Sequence, residues 1–116
     1  MNYIESFRKA DINISTAGDN TVIAAPGDGK YIAIDFIQAL PAGGMTVQLK
    51  DGTTNYGGAM ALIQSQGFFF ANSMHNEHGV ITLGNNKAFV INLSGQDTPG
   101  VTALTGGFIR YRIINE

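Results

Sequence analysis

The stretch Met45-Thr46-Val47-Gln48-Leu49-Lys50 alternates apolar and polar side chains without a break, and a period of two is the signature of a half-buried β-strand. Successive side chains of an extended chain point to opposite faces. Met45, Val47 and Leu49 therefore share the face that should enter a core, while Thr46, Gln48 and Lys50 meet water. To either side, short apolar and β-branched runs recur at roughly the 8 to 12 residue spacing of a sandwich or barrel, punctuated by Gly, Asn, Asp and Pro.

Upstream, Pro41-Ala42-Gly43-Gly44 separates this strand from the longest run, Tyr31 to Leu40. Alternation there puts Ile32, Ile34, Phe36 and Leu40 on a core face and leaves Ala33, Asp35 and Ile37 on an outer or subunit-facing one. Earlier still, Asp11 to Thr16 carries Ile12 and Ile14 on one face, and Gly18-Asp19-Asn20 turns the chain into Thr21 to Ala25. Pro26 ends that strand by lacking a ladder donor, and Gly27-Asp28-Gly29 makes the next turn. Downstream of Lys50, Asp51-Gly52 opens a turn and Gly57 to Leu62 reads as a weaker strand. Further strands are expected at Phe68-Phe69-Phe70, Gly79 to Leu83, Ala88 to Leu93 and Gly107 to Ile114. Helical spacing is confined to Ala59 to Gln66, where the preceding Gly57-Gly58 counts against it. The expectation is an all-β chain, a single antiparallel β-sandwich of about eight strands over residues 11–116.

Residues 1–10 fit no alternating pattern. Tyr3, Ile4 and Phe7 offer apolar anchors and Arg8 and Lys9 offer cations, which suits an extended N-terminal arm that orders on docking. An edge strand or a frayed terminus is the other reading of the same residues.

The chain has 116 residues, one domain's worth, enough to bury roughly two-thirds of its unfolded surface. No apolar run approaches the roughly 20 residues of a membrane-spanning helix. The first ten residues mix charges of both signs and hold no secretory h-region, so synthesis and folding in the cytoplasm are expected. Without cysteine there is no disulfide or thiolate chemistry. The formal net charge of −2 lacks the basic excess of a nucleic-acid binder. Charged residues make up 14% of the chain, well under the roughly 25% of an average soluble domain. Asn, Thr, Ser, Gln and Gly keep such a surface wet. Weakly charged patches suit contact between identical copies, because symmetry otherwise brings like charges together.

Little in the sequence points to catalysis. His75-Asn76-Glu77-His78 offers two imidazoles and a carboxylate, but it lacks the H-E-x-x-H spacing, the cysteines of the deaminase H-x-E motif and the strand pattern of cupins. It reads as a polar loop without metal. A small cupin-like enzyme using His75, Glu77 and His78, or an ion shared on an oligomer axis, is the alternative. Ser73 near His75 is the only close serine and histidine pairing, and it sits on no nucleophile elbow. The nine acids are scattered through turns, and no glycine pair opens a helix as a phosphate cradle does. No catalytic residue and no cofactor is expected. Phe68-Phe69-Phe70 is different in kind, since three successive rings on a strand cannot all enter one core. The surplus is covered by a loop or by another subunit, and Phe68, Phe69 and Phe70 are the candidate oligomer interface. Tyr31, Tyr56 and Tyr111 could instead stack on sugar rings in a tail- or fibre-associated carbohydrate-binding module.

Three segments carry a family resemblance: Asn20-Thr21-Val22-Ile23-Ala24-Ala25-Pro26-Gly27, then Thr46-Val47-Gln48-Leu49-Lys50-Asp51-Gly52-Thr53, then Ala88-Phe89-Val90-Ile91-Asn92-Leu93-Ser94. With the Gly-Ala segment between them, they resemble small tailed-phage virion proteins of the capsid decoration or cement type, over residues 11–114. The resemblance implies a jelly-roll-like sandwich that assembles as a homotrimer on the head surface in the host cytoplasm and stays with the virion. It also implies the major capsid protein as partner, and neither substrate nor cofactor. Tyr3, Ile4, Phe7, Arg8 and Lys9 are then the candidate capsid-binding residues. The Phe68-Phe69-Phe70 run and the His75 to His78 loop depart from the family pattern.

Overall fold

The computed structural model describes residues 7–64, 66–71, 79–95 and 104–115. They form β1 (Arg8–Ile14), β2 (Gly18–Ile23), β3 (Lys30–Pro41), β4 (Met45–Asp51), β5 (Thr54–Asn55), β6 (Met60–Leu62), β7 (Phe68–Ala71), β8 (Ile81–Thr82), β9 (Phe89–Ser94) and β10 (Leu104–Asn115). One sheet runs β1-β10-β3-β7 with β8 also on β3, and the other runs β2-β9-β4-β5 with β6 also on β4. Every ladder is antiparallel.

Ten strands replace the expected eight or so, for a simple reason. β5 and β6 pair with the same edge of β4, and β7 and β8 with the same edge of β3, so each pair is one interrupted strand. The chain is then a single long hairpin whose first half pairs with its second half in reverse order. β1 meets β10, β2 meets β9, β3 meets β7 and β8, and β4 meets β5 and β6. Successive pairs of this ribbon alternate between the two sheets, which is the winding of a jelly roll.

The core fills the space between the sheets. Met45, Val47 and Leu49 enter it as their alternation requires, with Phe89, Ile91 and Leu93 of the neighbouring β9. Facing them are Ile12 and Ile14 of β1, Ile32, Ile34, Ile37 and Ala39 of β3, and Ile109 of β10.

β3 corrects the expected face assignment. Ile32 and Ile34 are buried, yet Phe36 is only half-buried and Leu40 is 41% exposed, while Ile37 and Ala39 are wholly buried. The ladder explains the switch. Tyr111 pairs with Ile34 and Arg110 with Phe36, so Asp35 has no Cα partner on β10. One extra residue in a strand reverses the phase of everything beyond it. A second irregularity lies at Gly106-Gly107, between the pairs Thr105 with Leu40 and Phe108 with Gln38. A Cβ on Gly107 would drive into the Gln38 carbonyl and approach Ala39 Cα at 2.7 Å, so the close strand approach there requires glycine.

Two boundaries also move. β1 starts at Arg8 rather than Asp11, with Arg8, Lys9 and Ala10 paired to Tyr111, Arg110 and Ile109. The last three residues of the expected arm are therefore sheet, and residues 1–6 lie outside the described ones. Gly18-Asp19-Asn20 belongs to β2, and the turn comes just before it, where Thr16 Oγ1 bonds the Asn20 side chain at 2.9 Å.

Candidate interaction face

The two switches of phase decide what the first sheet shows on its outer face. Cross-strand partners share a face, so past Asp35 the outward residues of β3 are Phe36, Gln38 and Leu40, beside Arg110 and Phe108 of β10. Lys9 and Asp11 of β1 stand opposite Arg110 and Phe108. On the far edge Phe69 of β7 stands opposite Gln38. The Phe36 and Phe108 rings stack with centroids 5.1 Å apart.

At the centre lies an ion pair. Arg112 donates from Nε to Asp35 Oδ2 at 2.8 Å and from Nη2 to Oδ1 at 2.9 Å, with both side chains nearly covered, 7% and 11% exposed. The fork geometry makes this the strong form of a charged hydrogen bond. Phe7 helps to cover it: the guanidinium carbons of Arg110 and Arg112 each lie 5.8 Å from the centroid of its ring. Asp35 was expected on an outer surface beside Ile37; it is outward but paired, and Ile37 faces the core.

Beside this cluster a shallow groove of about 640 Å³ follows β1, lined by Lys9, Asp11, Asn13, Gly106, Phe108 and Arg110. Lys9 pairs with Asp11 at 3.3 Å.

The outer face of the other sheet is unlike this one. Thr46, Gln48 and Lys50 of β4 line up with Ser94, Asn92 and Val90 of β9, and Asp19 of β2 with Asn92. Asn92 donates to Asp19 at 2.7 Å and Lys50 reaches both of its oxygens, at 3.2 and 3.0 Å. The Asn92 hydrogen bond first, then that of Lys50, holds the Asp19 carboxyl below its ordinary value of 3.8. This is a polar face whose charges answer one another.

The candidate interface residues separate. Phe68 packs against the core and Phe70 pairs with the inward Ile37, its ring 5.7 Å from that of Phe68. Phe70 also lines a cavity of about 300 Å³ between the sheets, with Leu49, Tyr56, Met60 and Val80. Phe69 turns to the outer face and is 68% exposed, while Phe70, on the inward side of this edge strand, is still 36% exposed. Of the candidate capsid-binding residues, Phe7, Arg8 and Lys9 are exposed at the start of β1, on the edge of the first sheet, while Tyr3 and Ile4 lie outside the described residues. So do Ser73, His75, Glu77 and His78. Among the described residues no group of three His, Asp or Glu side chains is placed to hold a metal ion. The three tyrosines share no platform: Tyr111 packs on the core, Tyr56 lines the cavity, and Tyr31 stands at the end of β3 opposite Ile114.

Comparison with family models, curated proteins and solved structures gave no match. The residues that organise this face were missed by alternation alone. An acid in the middle of an apolar strand, Asp35, and the alternate arginines Arg110 and Arg112 were the available signal.

Proposed function

We propose that this chain is a non-enzymatic structural protein of a tailed-phage virion, a decoration or cement protein that packs as a homotrimer on the head, binds the major capsid protein and stabilises the lattice. The observation that carries the reading is the contrast between the two outer sheet faces. One is polar and internally paired through Asp19, Asn92 and Lys50. The other presents Phe7, Leu40 and Phe69 to water around a stacked aromatic pair and a covered ion pair. Large apolar side chains left in water on one face suit a protein-binding surface. The low charge of the chain and the likeness of its turn and strand motifs to virion proteins support the same reading.

Sedimentation and head binding test it together. The chain should sediment at about three times 12.3 kDa at micromolar concentration and bind undecorated heads. Phe69→Asp leaves its carboxylate in water in the monomer, because the ring is already 68% exposed. A folded Phe69→Asp monomer supports a subunit contact at that ring. An unmutated chain that stays monomeric and ignores heads contradicts the proposal.

A further inference from the structure

We infer that the groove along β1 and β10 takes an acidic, extended polypeptide segment of the lattice partner, with a carboxylate of that segment on Arg110. The inference rests on the attachment reading above and names the chemistry it requires.

Three observations carry it. First, Lys9 and Arg110 are direct Cα partners across β1 and β10. Like charges facing each other across a sheet destabilise it, and among the described residues only Lys9 of the two has an acid, Asp11 at 3.3 Å, to offset this. Arg112 is paired with Asp35. Arg110 is exposed, and its contact is the ring of Phe7, which holds the guanidinium without using its hydrogen-bond donors. A fork of donors so fixed matches a carboxylate in two-point geometry.

Second, the groove beside Arg110 is shaped for chain. Its lining at Gly106-Gly107 has no side chains, and Phe108, stacked on Phe36, lines it as well. From Lys9 to Asn13 it spans four residue steps of β1, roughly 14 Å at strand rise, the length of a short extended segment.

Third, a two-fold contact of a second copy centred on this groove would set Arg110 against Arg110. An acidic strand instead meets a cation that has no acid partner among the described residues.

The test is titration of the full chain with hexaglutamate, hexaserine and hexalysine peptides, followed by amide chemical shifts. Hexaglutamate should shift Lys9, Asp11, Gly106, Gly107 and Arg110 saturably at low salt, and hexaserine and hexalysine should not. Arg110→Gln should weaken hexaglutamate binding about tenfold, and Lys50→Gln, on the opposite sheet, should leave it unchanged. The inference is overturned if hexaglutamate leaves those amides unmoved, if Arg110→Gln binds it equally well, or if inorganic phosphate or single-stranded oligothymidine occupies the same residues as tightly. Head binding is measured separately. Heads that bind the chain while hexaglutamate does not would sink the groove and leave attachment standing; the reverse would sink attachment.

Discussion

Asp35 takes hydrogen bonds at 2.8 and 2.9 Å from a single guanidinium, that of Arg112, and it does so from a position in β3 that has no Cα partner on β10. The bulge and the ion pair are one device. The extra residue turns Ile37 into the core and Phe36 out of it, and the charge that the bulge brings to the outer face is neutralised beside it.

Breaking that pair leaves the covered Arg112 guanidinium without its carboxylate. Asp35→Ala should cost about 3–5 kcal/mol, whereas Asp35→Leu combined with Arg112→Met should recover most of the loss. Urea denaturation of both variants checks this. A single substitution costing under about 1 kcal/mol would show the pair to be solvated.

The phase switch has its own test. Ile37→Ala should cost about 2–5 kcal/mol as a core truncation, and Leu40→Ala should stay within about 0.5 kcal/mol as a surface one. Uninterrupted alternation from Ile32 orders the two the other way.

Gly107→Ala pushes a methyl into the Gln38 carbonyl and should cost about 1–3 kcal/mol. Gly58→Ala, where an added Cβ meets nothing within 4 Å, should change stability by under about 0.5 kcal/mol. Thermal melts of the pair separate close strand approach from a general intolerance of alanine.

Asp19 sets a pH dependence. Its folded pKa lies below the ordinary 3.8, so its contribution is complete above the unfolded value and is lost as pH falls through the folded one. Stability should therefore drop in acid below about pH 4. The drop should be shallower in Asn92→Ala, which removes the strongest cause of the shift. Identical acid profiles for the two proteins would remove Asp19 from the account.

What the amino acids disclosed depended on how local the cause was. The sheet class, the inward set Met45, Val47 and Leu49, and the isoleucines of β1 follow from period two alone. Asp35 flips a register only because β10 runs beside it, and no alternation within β3 contains that fact. Arg8 and Lys9 looked like an arm because charged residues on an edge strand carry no apolar period, although Ala10 and Ile12 already mark its inner side. The face suffered most, since Phe36, Phe108, Arg110 and Arg112 come from two segments more than seventy residues apart. Phe69 was legible as surplus, and its outward direction became definite only through its pairing with Gln38.

The most direct measurement is a cryo-electron microscopy reconstruction of undecorated parent heads incubated with the purified chain. Added density of jelly-roll size is expected in symmetric trimers, with the sheet of β1, β10, β3 and β7 turned toward the shell or toward neighbouring copies and the Asp19 to Lys50 face in solvent. Bare heads, or density that buries the polar sheet and leaves Phe7, Leu40 and Phe69 in water, would contradict it.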